Sequence, residues 1–424
     1  MTTLEFLRDN GLTPGVADFK HWAAEFQREM AAGLAGEKSS LRMIPTFLSA
    51  QALPHSGEPV IVLDAGGTNL RIALMEFTDQ GPKAEYFNTV PMLGTQGRLT
   101  IEEFYDRLAE LMAPIADRSG RIGFCFSFPC QILPDLDGKV LHFDKEVSVS
   151  GAEGSVLGVG LRAALKKLGK RHDHRVAVIN DTVAAMLGAM SQGLGDSRSM
   201  GFILGTGTNI CASFPTDAIG KLPASLRQRG GSMVVNLESG GFDALERSAV
   251  DLAFDATQAD PGTQVLEKLI SGAYQGPMAL AYLRAAAIEG LLTPAGTAGF
   301  EALPSLTAKD ISDFLNGGSE TPLAFLNEAD KAVTLDILDG FFHRAARLTA
   351  ATLAAVLEAC GDAKDPAKPV SIAAEGTTFY KCPLLHKYLL EDMETLVAQG
   401  MGLYSKFVQG ENPNLTGAAL AALG

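Results

Sequence analysis

The sequence has no excess of basic residues: 35 Lys and Arg stand against 49 Asp and Glu, a formal net charge of -14. A mean field of that sign repels both phosphodiester backbones and anionic lipid, which argues against nucleic acid or a membrane as partner. Any small anionic ligand then needs a locally built site. No apolar run reaches the roughly 20 residues that cross a bilayer. The opening MTTLEFLRDNGLTPG lacks the basic region and apolar core of a secretory leader. Cysteine is scarce, five in 424 residues, odd in number and without a CxxC pair, so neither a zinc site nor a disulfide shuttle is indicated. These absences describe a cytoplasmic chain under reducing conditions. Two common nucleotide signatures are missing too, the P-loop Gly-x-x-x-x-Gly-Lys-Ser/Thr and the dinucleotide Gly-x-Gly-x-x-Gly.

What is present is enough apolar material for two cores: 46% of the 424 residues are hydrophobic and 20% charged. Phe19, Trp22, Ala23, Phe26, Met30 and Leu34 recur at helical spacing and predict a packing helix over 16–35. A buried-type strand is predicted over 59–64, broken by Gly66 and Gly67, with a second strand over 70–75. Thr100 and Glu103 form a capping box for a helix to about Met112. Strands follow at 121–126, 175–179, 199–204, from Ile210, and at 369–374, with helices at about 182–191, 264–289 and 330–359. This order reads as βαβ throughout, an α/β protein. The unit strand, glycine loop, strand occurs twice, at 64–71 and around Gly205 and Gly207. The echo predicts a duplicated fold whose halves face each other across a cleft.

Asp64-Ala65-Gly66-Gly67-Thr68-Asn69 sets a carboxylate at a strand end beside two residues without side chains to block an anion. Its backbone N–H groups can form an anion nest; taken alone it also reads as an ordinary hairpin turn. Gly205-Thr206-Gly207-Thr208-Asn209 repeats the combination, and two such loops can grip a polyphosphate from both sides. Asn180-Asp181 stands where a strand meets a helix, so Asp181 also reads as an N-cap.

At these residues the chain resembles the hexokinase family, within the actin, Hsp70 and sugar kinase superfamily, in a bacterial-type member. The segments 63–71, Asn180-Asp181-Thr182-Val183 and 205–209 are similar to the family's first phosphate, catalytic and second phosphate motifs, in the family's order. Phe124-Cys125-Phe126-Ser127-Phe128-Pro129-Cys130 resembles its Phe-Thr-Phe-Ser-Phe-Pro sugar signature. Asn236-Leu237-Glu238 resembles its Asn-Thr-Glu, and 261–276 its stretch holding Gln264 and Glu267. Glu375-Gly376-Thr377 is similar to the adenosine motif and Gly417-Ala418-Ala419 to the start of the last helix.

The resemblance implies a two-domain duplicated actin-like ATPase (ribonuclease H-like) fold with sugar and ATP in the cleft between domains. It implies an N-terminal helical segment over 1–59, a small domain over 60–180, a large domain over 181–412, and a tail over 413–424 returning to the small domain. It implies transfer of the γ-phosphoryl group of MgATP to a hexose 6-hydroxyl, with Asp181 as general base and Lys145 directing charge to the reacting oxygen. Sugar contacts would come from Ser127, Phe128, Pro129, Asp144, Lys145, Asn180, Asp181, Asn209, Glu238 and Glu267. Nucleotide contacts would come from Asp64, Gly66, Gly67, Thr68, Asn69, Arg71, Gly205, Thr206, Gly207, Gly376 and Thr377, with Mg²⁺ arriving on ATP and no metal site of the protein's own. Phe143-Asp144-Lys145 departs from the family's Trp-Thr-Lys, exchanging a sugar-binding hydroxyl for a carboxylate. A kinase for another hexose or an amino sugar therefore stays open, as does a catalytically inert sugar sensor of the same fold. The sequence carries no signal of oligomeric state.

Overall fold

The computed structural model describes residues 1–50, 57–78, 81–143, 147–318, 320–361 and 363–424. Two of the expected site residues, Asp144 and Lys145, lie outside the described residues.

Val60–Ala65 is buried at every position, as its unbroken apolar run requires of a central strand. It pairs antiparallel with Asn69–Thr78, which pairs antiparallel with Gly81–Pro91. On its other side Arg121–Phe126 and then Arg175–Ile179 run parallel to it. The second sheet repeats this plan. Met200–Leu204 pairs antiparallel with Thr208–Pro215, which pairs antiparallel with Ser232–Asn236, while Val370–Glu375 and Ser405–Val408 extend the other side in parallel. Ile44–Pro45 adds an outer edge to the second sheet only. The two sheets thus share strand order and strand direction, the duplication that the two glycine loops predict.

The hairpin with a glycine tip expected over 59–75 forms, whereas the expected βαβ order holds only for the second part of each sheet. Each begins as an antiparallel meander, because the connections at 66–68 and 205–207 are too short for a parallel crossover, which takes a dozen or more residues.

The helix Val16–Ala35 buries Phe19, Trp22, Phe26 and Met30 in the core of the second sheet, with Phe26 edge-on to Phe242 at 4.9 Å. The helix expected over 264–289 is broken at Ser271, whose ψ of 158° is extended. The break has a local cause. Gly272 N–H donates to Gly205 O at 2.8 Å and Ala273 N–H to Thr206 O at 3.2 Å, so the glycine loop takes the donors that a continuous helix would use. Two helices result, Val265–Ile270 and Gly272–Ile288.

Between the sheets lies a further core, in which Val60, Val62, Ala177 and Ile179 meet Val183, Met186 and Leu187 of the helix Asp181–Ser191 and Leu415, Ala418 and Ala421 of the helix Pro413–Leu423. The two helices cross closely. A β-carbon on Gly417 would fall 2.0 Å from Ala184 O at this crossing, and one on Gly123 of the strand Arg121–Phe126 would fall 2.0 Å from Ala418 O, so the helix Pro413–Leu423 depends on glycine against both the other helix and the sheet.

Candidate active site

A cleft of about 690 Å³ opens between the sheets. Its lining includes Asp64, Gly66, Gly67 and Arg71 of the first glycine unit, the Ser127-Phe128-Pro129 run, and Asn180 with Asp181. From the second half come Thr206, Gly207, Asn209, Glu238 and Glu267. Residues from opposite ends of the chain therefore share one cavity. Thr68, Asn69, Gly205, Gly376 and Thr377 are outside that lining.

The strand Arg175–Ile179 delivers Asn180 and Asp181 to the cleft. The helix cap is Asn180, not Asp181: its backbone is extended and its Oδ1 accepts the Thr182 N–H at 2.9 Å. Asp181 is the first helical residue, and its Oδ1 accepts the same N–H at 2.9 Å. A side chain that caps must come from the extended residue before the first turn, which explains the shift by one position.

Four polar side chains beside Asp181 are linked. Asn209 Nδ2 donates to Asn236 Oδ1 at 2.7 Å and to Asn180 Oδ1 at 3.3 Å, while its Oδ1 accepts from Ile210 N at 2.8 Å and Ser239 N at 3.2 Å. Asn236 Nδ2 donates in turn to Glu238 Oε1 at 2.8 Å. Such a network orients amide and carboxylate groups in a fixed plane, as recognition of ring hydroxyls requires.

Glu238 and Gln264 both hold left-handed backbones, at φ 59° and φ 48°. Non-glycine residues in that region cost about 1–3 kcal/mol and persist where their surroundings over-determine them. Glu267 Oε2 accepts the Thr208 N–H at 3.0 Å. The absence of a side chain at Gly207 makes room for that carboxylate, since a β-carbon there would lie 2.4 Å from Glu267 Oε2. This glycine therefore has a second reason beside open approach for an anion.

Asp64 and Arg71 stand opposite each other in the hairpin register and form an ion pair at 2.5 Å. Burial pushes the Asp64 carboxyl above its ordinary range; the Arg71 guanidinium and the Cys125 thiol oppose the rise, while the nearby Asp181 charge adds to it. In the second loop Gly205 N–H donates to Gly207 O at 2.9 Å. The Glu375-Gly376-Thr377 segment abuts that loop: Thr378 Oγ1 donates to Gly205 O at 2.8 Å, and Gly376, at φ 115°, passes so near Leu204 O that a β-carbon would fall 2.2 Å from it. Burial also raises the Glu375 carboxyl, against a hydrogen bond from Gln409 and the charge of Arg71.

Ser127 N–H donates to Ala65 O at 3.1 Å, which fastens the Ser-Phe-Pro run beside Asp64. Phe128 packs on Phe126 and Phe143 with ring centroids at 5.2 and 5.0 Å, and Phe143 meets Phe104 at 5.4 Å. Phe143, the first residue of the departure from the family pattern, is thus an aromatic anchor next to His142 at the cleft wall.

A profile described as Hexokinase matches residues 199–424, and a second hexokinase profile matches residues 10–191. The chain belongs to the hexokinase family. Similar relatives include mouse Hexokinase-3, 29% identical over 94% of this chain and 44% of its own, and human Hexokinase-2, 30% identical over 93% of this chain and 45% of its own. The chain spans about half the length of the curated relatives it matches. A solved hexokinase from Schistosoma mansoni complexed with glucose has a TM-score of 0.79 at 22% identity, covering 99% of this chain and 98% of that one. A ROK hexokinase from Thermus thermophilus has a TM-score of 0.51 at 17% identity over 86% and 97% of the two chains. These likenesses show the two-domain actin-like fold. The expected bacterial type is not borne out, the relatives above being mammalian and the higher-scoring structure that of a schistosome hexokinase.

Asn236 and Gln264, both within motifs that resemble the family's, join the site residues expected from the sequence: Asn236 bonds Asn209 and Glu238, and Gln264 lines the cleft. Asn236 is 5% exposed and needs a partner there; in the sequence its signal is an amide closing the apolar run Met233-Val234-Val235. Arg42, Asp260 and Tyr274 also line the cleft, and nothing in their local sequence marks them. No helix among the described residues is long and apolar enough to cross a membrane.

Proposed function

We propose that this chain transfers the γ-phosphoryl group of MgATP to the 6-hydroxyl of a hexose. The carrying observation is that Asp181 enters one cleft with the Asp64–Arg71 hairpin of its own sheet and with the Asn180–Asn209–Asn236–Glu238 network, which links it to the second sheet. The amides and carboxylates suit a ring of hydroxyls; the glycine loops suit phosphates.

In this reading Asp181 accepts the 6-hydroxyl proton as the oxygen attacks phosphorus in line, and Lys145 directs positive charge to that oxygen. Ser127, Phe128, Pro129, Asn180, Asn209, Glu238 and Glu267 hold the sugar. Asp64, Thr68, Asn69, Arg71, Thr206 and Gly376-Thr377 attend the nucleotide. Among the described residues no three His, Cys, Asp or Glu side chains are grouped to hold a metal. Asp64, buried and paired with Arg71, is a single carboxylate that fits a Mg²⁺ bringing its other oxygen ligands on ATP, the usual mode for this ion. When bound, that ion would neutralise phosphate charge. We further propose domain limits of 60–180 and 181–412, with 413–424 joining the smaller domain, and a cytoplasmic setting that suits five free cysteines.

The test is hexose-dependent ADP formation over a panel of glucose, mannose, fructose and glucosamine. Turnover with one or more of them supports the reading; sugar binding by calorimetry without turnover would make the chain a sensor. Asp144 motivates the amino sugar in the panel, because a carboxylate accepts hydrogen bonds that an ammonium donates.

A further inference from the structure

Lys268 is 3% exposed, yet it sits one residue beyond Glu267 at the cleft. Its ammonium donates to Asp255 Oδ1 at 2.7 Å and to Asp260 O at 2.7 Å, and lies 3.3 Å from Asp260 Oδ1. Asp255 is equally committed, its Oδ2 accepting from Arg247 Nη1 and from the Gly262 N–H at 2.9 and 2.8 Å. Burial opposes ionisation of Asp255, but Lys268, the Gly262 N–H and Arg247 outweigh it and hold the carboxyl below its ordinary range.

The segment between these partners leads directly into the strained Gln264, which opens the helix Val265–Ile270 that carries Glu267. Gln264 is wedged at its other end against Gly240, where a β-carbon would lie 2.8 Å from Gln264 Oε1. A left-handed glutamine has to be held by its surroundings, and the ammonium is tied to Asp255 at the start and Asp260 in the middle of the loop before it. We infer that the Lys268–Asp255 pair is a positioning device for the hexose site: it straps residues 255–263 to the helix Val265–Ile270, and so fixes Gln264 and Glu267 in the cleft. This rests on the hexokinase reading above. Lys268 and Asp255 are positioning residues. They act through Gln264 and Glu267.

Removing one partner of a buried pair leaves the other charge uncompensated, so the loop must rearrange to hydrate it. Displaced, Gln264 and Glu267 would lose hydrogen bonds to the bound sugar, a loss of binding read in the hexose KM. The test is Lys268→Met, Asp255→Asn and the double variant, each assayed for the KM of hexose and of MgATP. The expected result for Lys268→Met is a hexose KM raised about tenfold or more, with the MgATP KM within about twofold and the double variant no worse than Lys268→Met alone, as for residues acting as a unit. A loss of kcat with unchanged hexose KM, or equal rises in both KM values, would overturn the inference, since a purely structural role lowers the active fraction or disturbs both substrates. Should Lys268→Met not fold, Asp255→Asn decides by the same split, because it keeps the side-chain shape. Absence of turnover in the unaltered protein would instead defeat the hexokinase reading itself.

Discussion

Glu267 approaches the backbone of the second glycine loop so closely that its Oε2 lies 2.4 Å from where a β-carbon on Gly207 would stand. The loop and the helix Val265–Ile270 are therefore one fitted unit, joined also by the Thr208 N–H bond to the same oxygen.

Gly207→Ala should displace Glu267 while leaving the first glycine loop untouched. Overpacking of this kind typically costs about 1–3 kcal/mol, so stability should fall modestly. Hexose affinity should fall further than nucleotide affinity. Calorimetric titration of each ligand checks this, and equal affinity for hexose in variant and parent would mean that Glu267 has room to move without loss.

Asp181→Asn should lower kcat by at least about 10², the lower range for loss of general-base help, with sugar binding retained within about tenfold if only transition-state stabilisation is lost. Because Asn180 is the cap, the melting temperature should hardly change. Asn180→Ala should behave in the opposite way on stability, losing a cap worth about 1 kcal/mol as well as a partner of Asn209. Turnover of Asp181→Asn within threefold of the parent would remove Asp181 from the mechanism.

Asp64 bears on pH. Its folded-state pKa is raised by burial above the unfolded value, so the protonated form is favoured by folding; the associated stability is present at low pH and is lost as pH rises through the folded pKa. Asp64→Asn cannot titrate and should gain stability relative to the parent as pH rises above the ordinary carboxylate range, while losing activity if this carboxylate serves MgATP. Thermal melts as a function of pH check the first part. A difference in Tm that is constant with pH, or shrinks as pH rises, would contradict it.

Asp144→Thr should shift the ratios of kcat/KM among glucose, mannose, fructose and glucosamine, because a hydroxyl also donates where a carboxylate only accepts. Unchanged ratios would show that Asp144 does not read the sugar.

Much of this protein follows from local pattern. The unbroken apolar run at 60–65, the alternation of glycine breaks with strands, the capping box at Thr100 and Glu103, and the apolar stripe of the first long helix all depend on neighbours in sequence, and all appear in the structure. So does the duplication, since each glycine loop is short enough to dictate a hairpin. What needed the tertiary structure is whatever depends on groups distant in sequence. The helix near 271 breaks because Gly205 and Thr206, more than sixty positions earlier, take its N–H groups. Asp181 gives up the cap to Asn180, whose Oδ1 also receives Asn209. Arg71 is paired with Asp64, and Gly207 is a glycine partly to admit Glu267. Periodicity and spacing report the path of the backbone because they are properties of a segment. The strained Glu238 and Gln264, the amide network and the burial of Lys268 are properties of two halves brought together, and only their packing decides them.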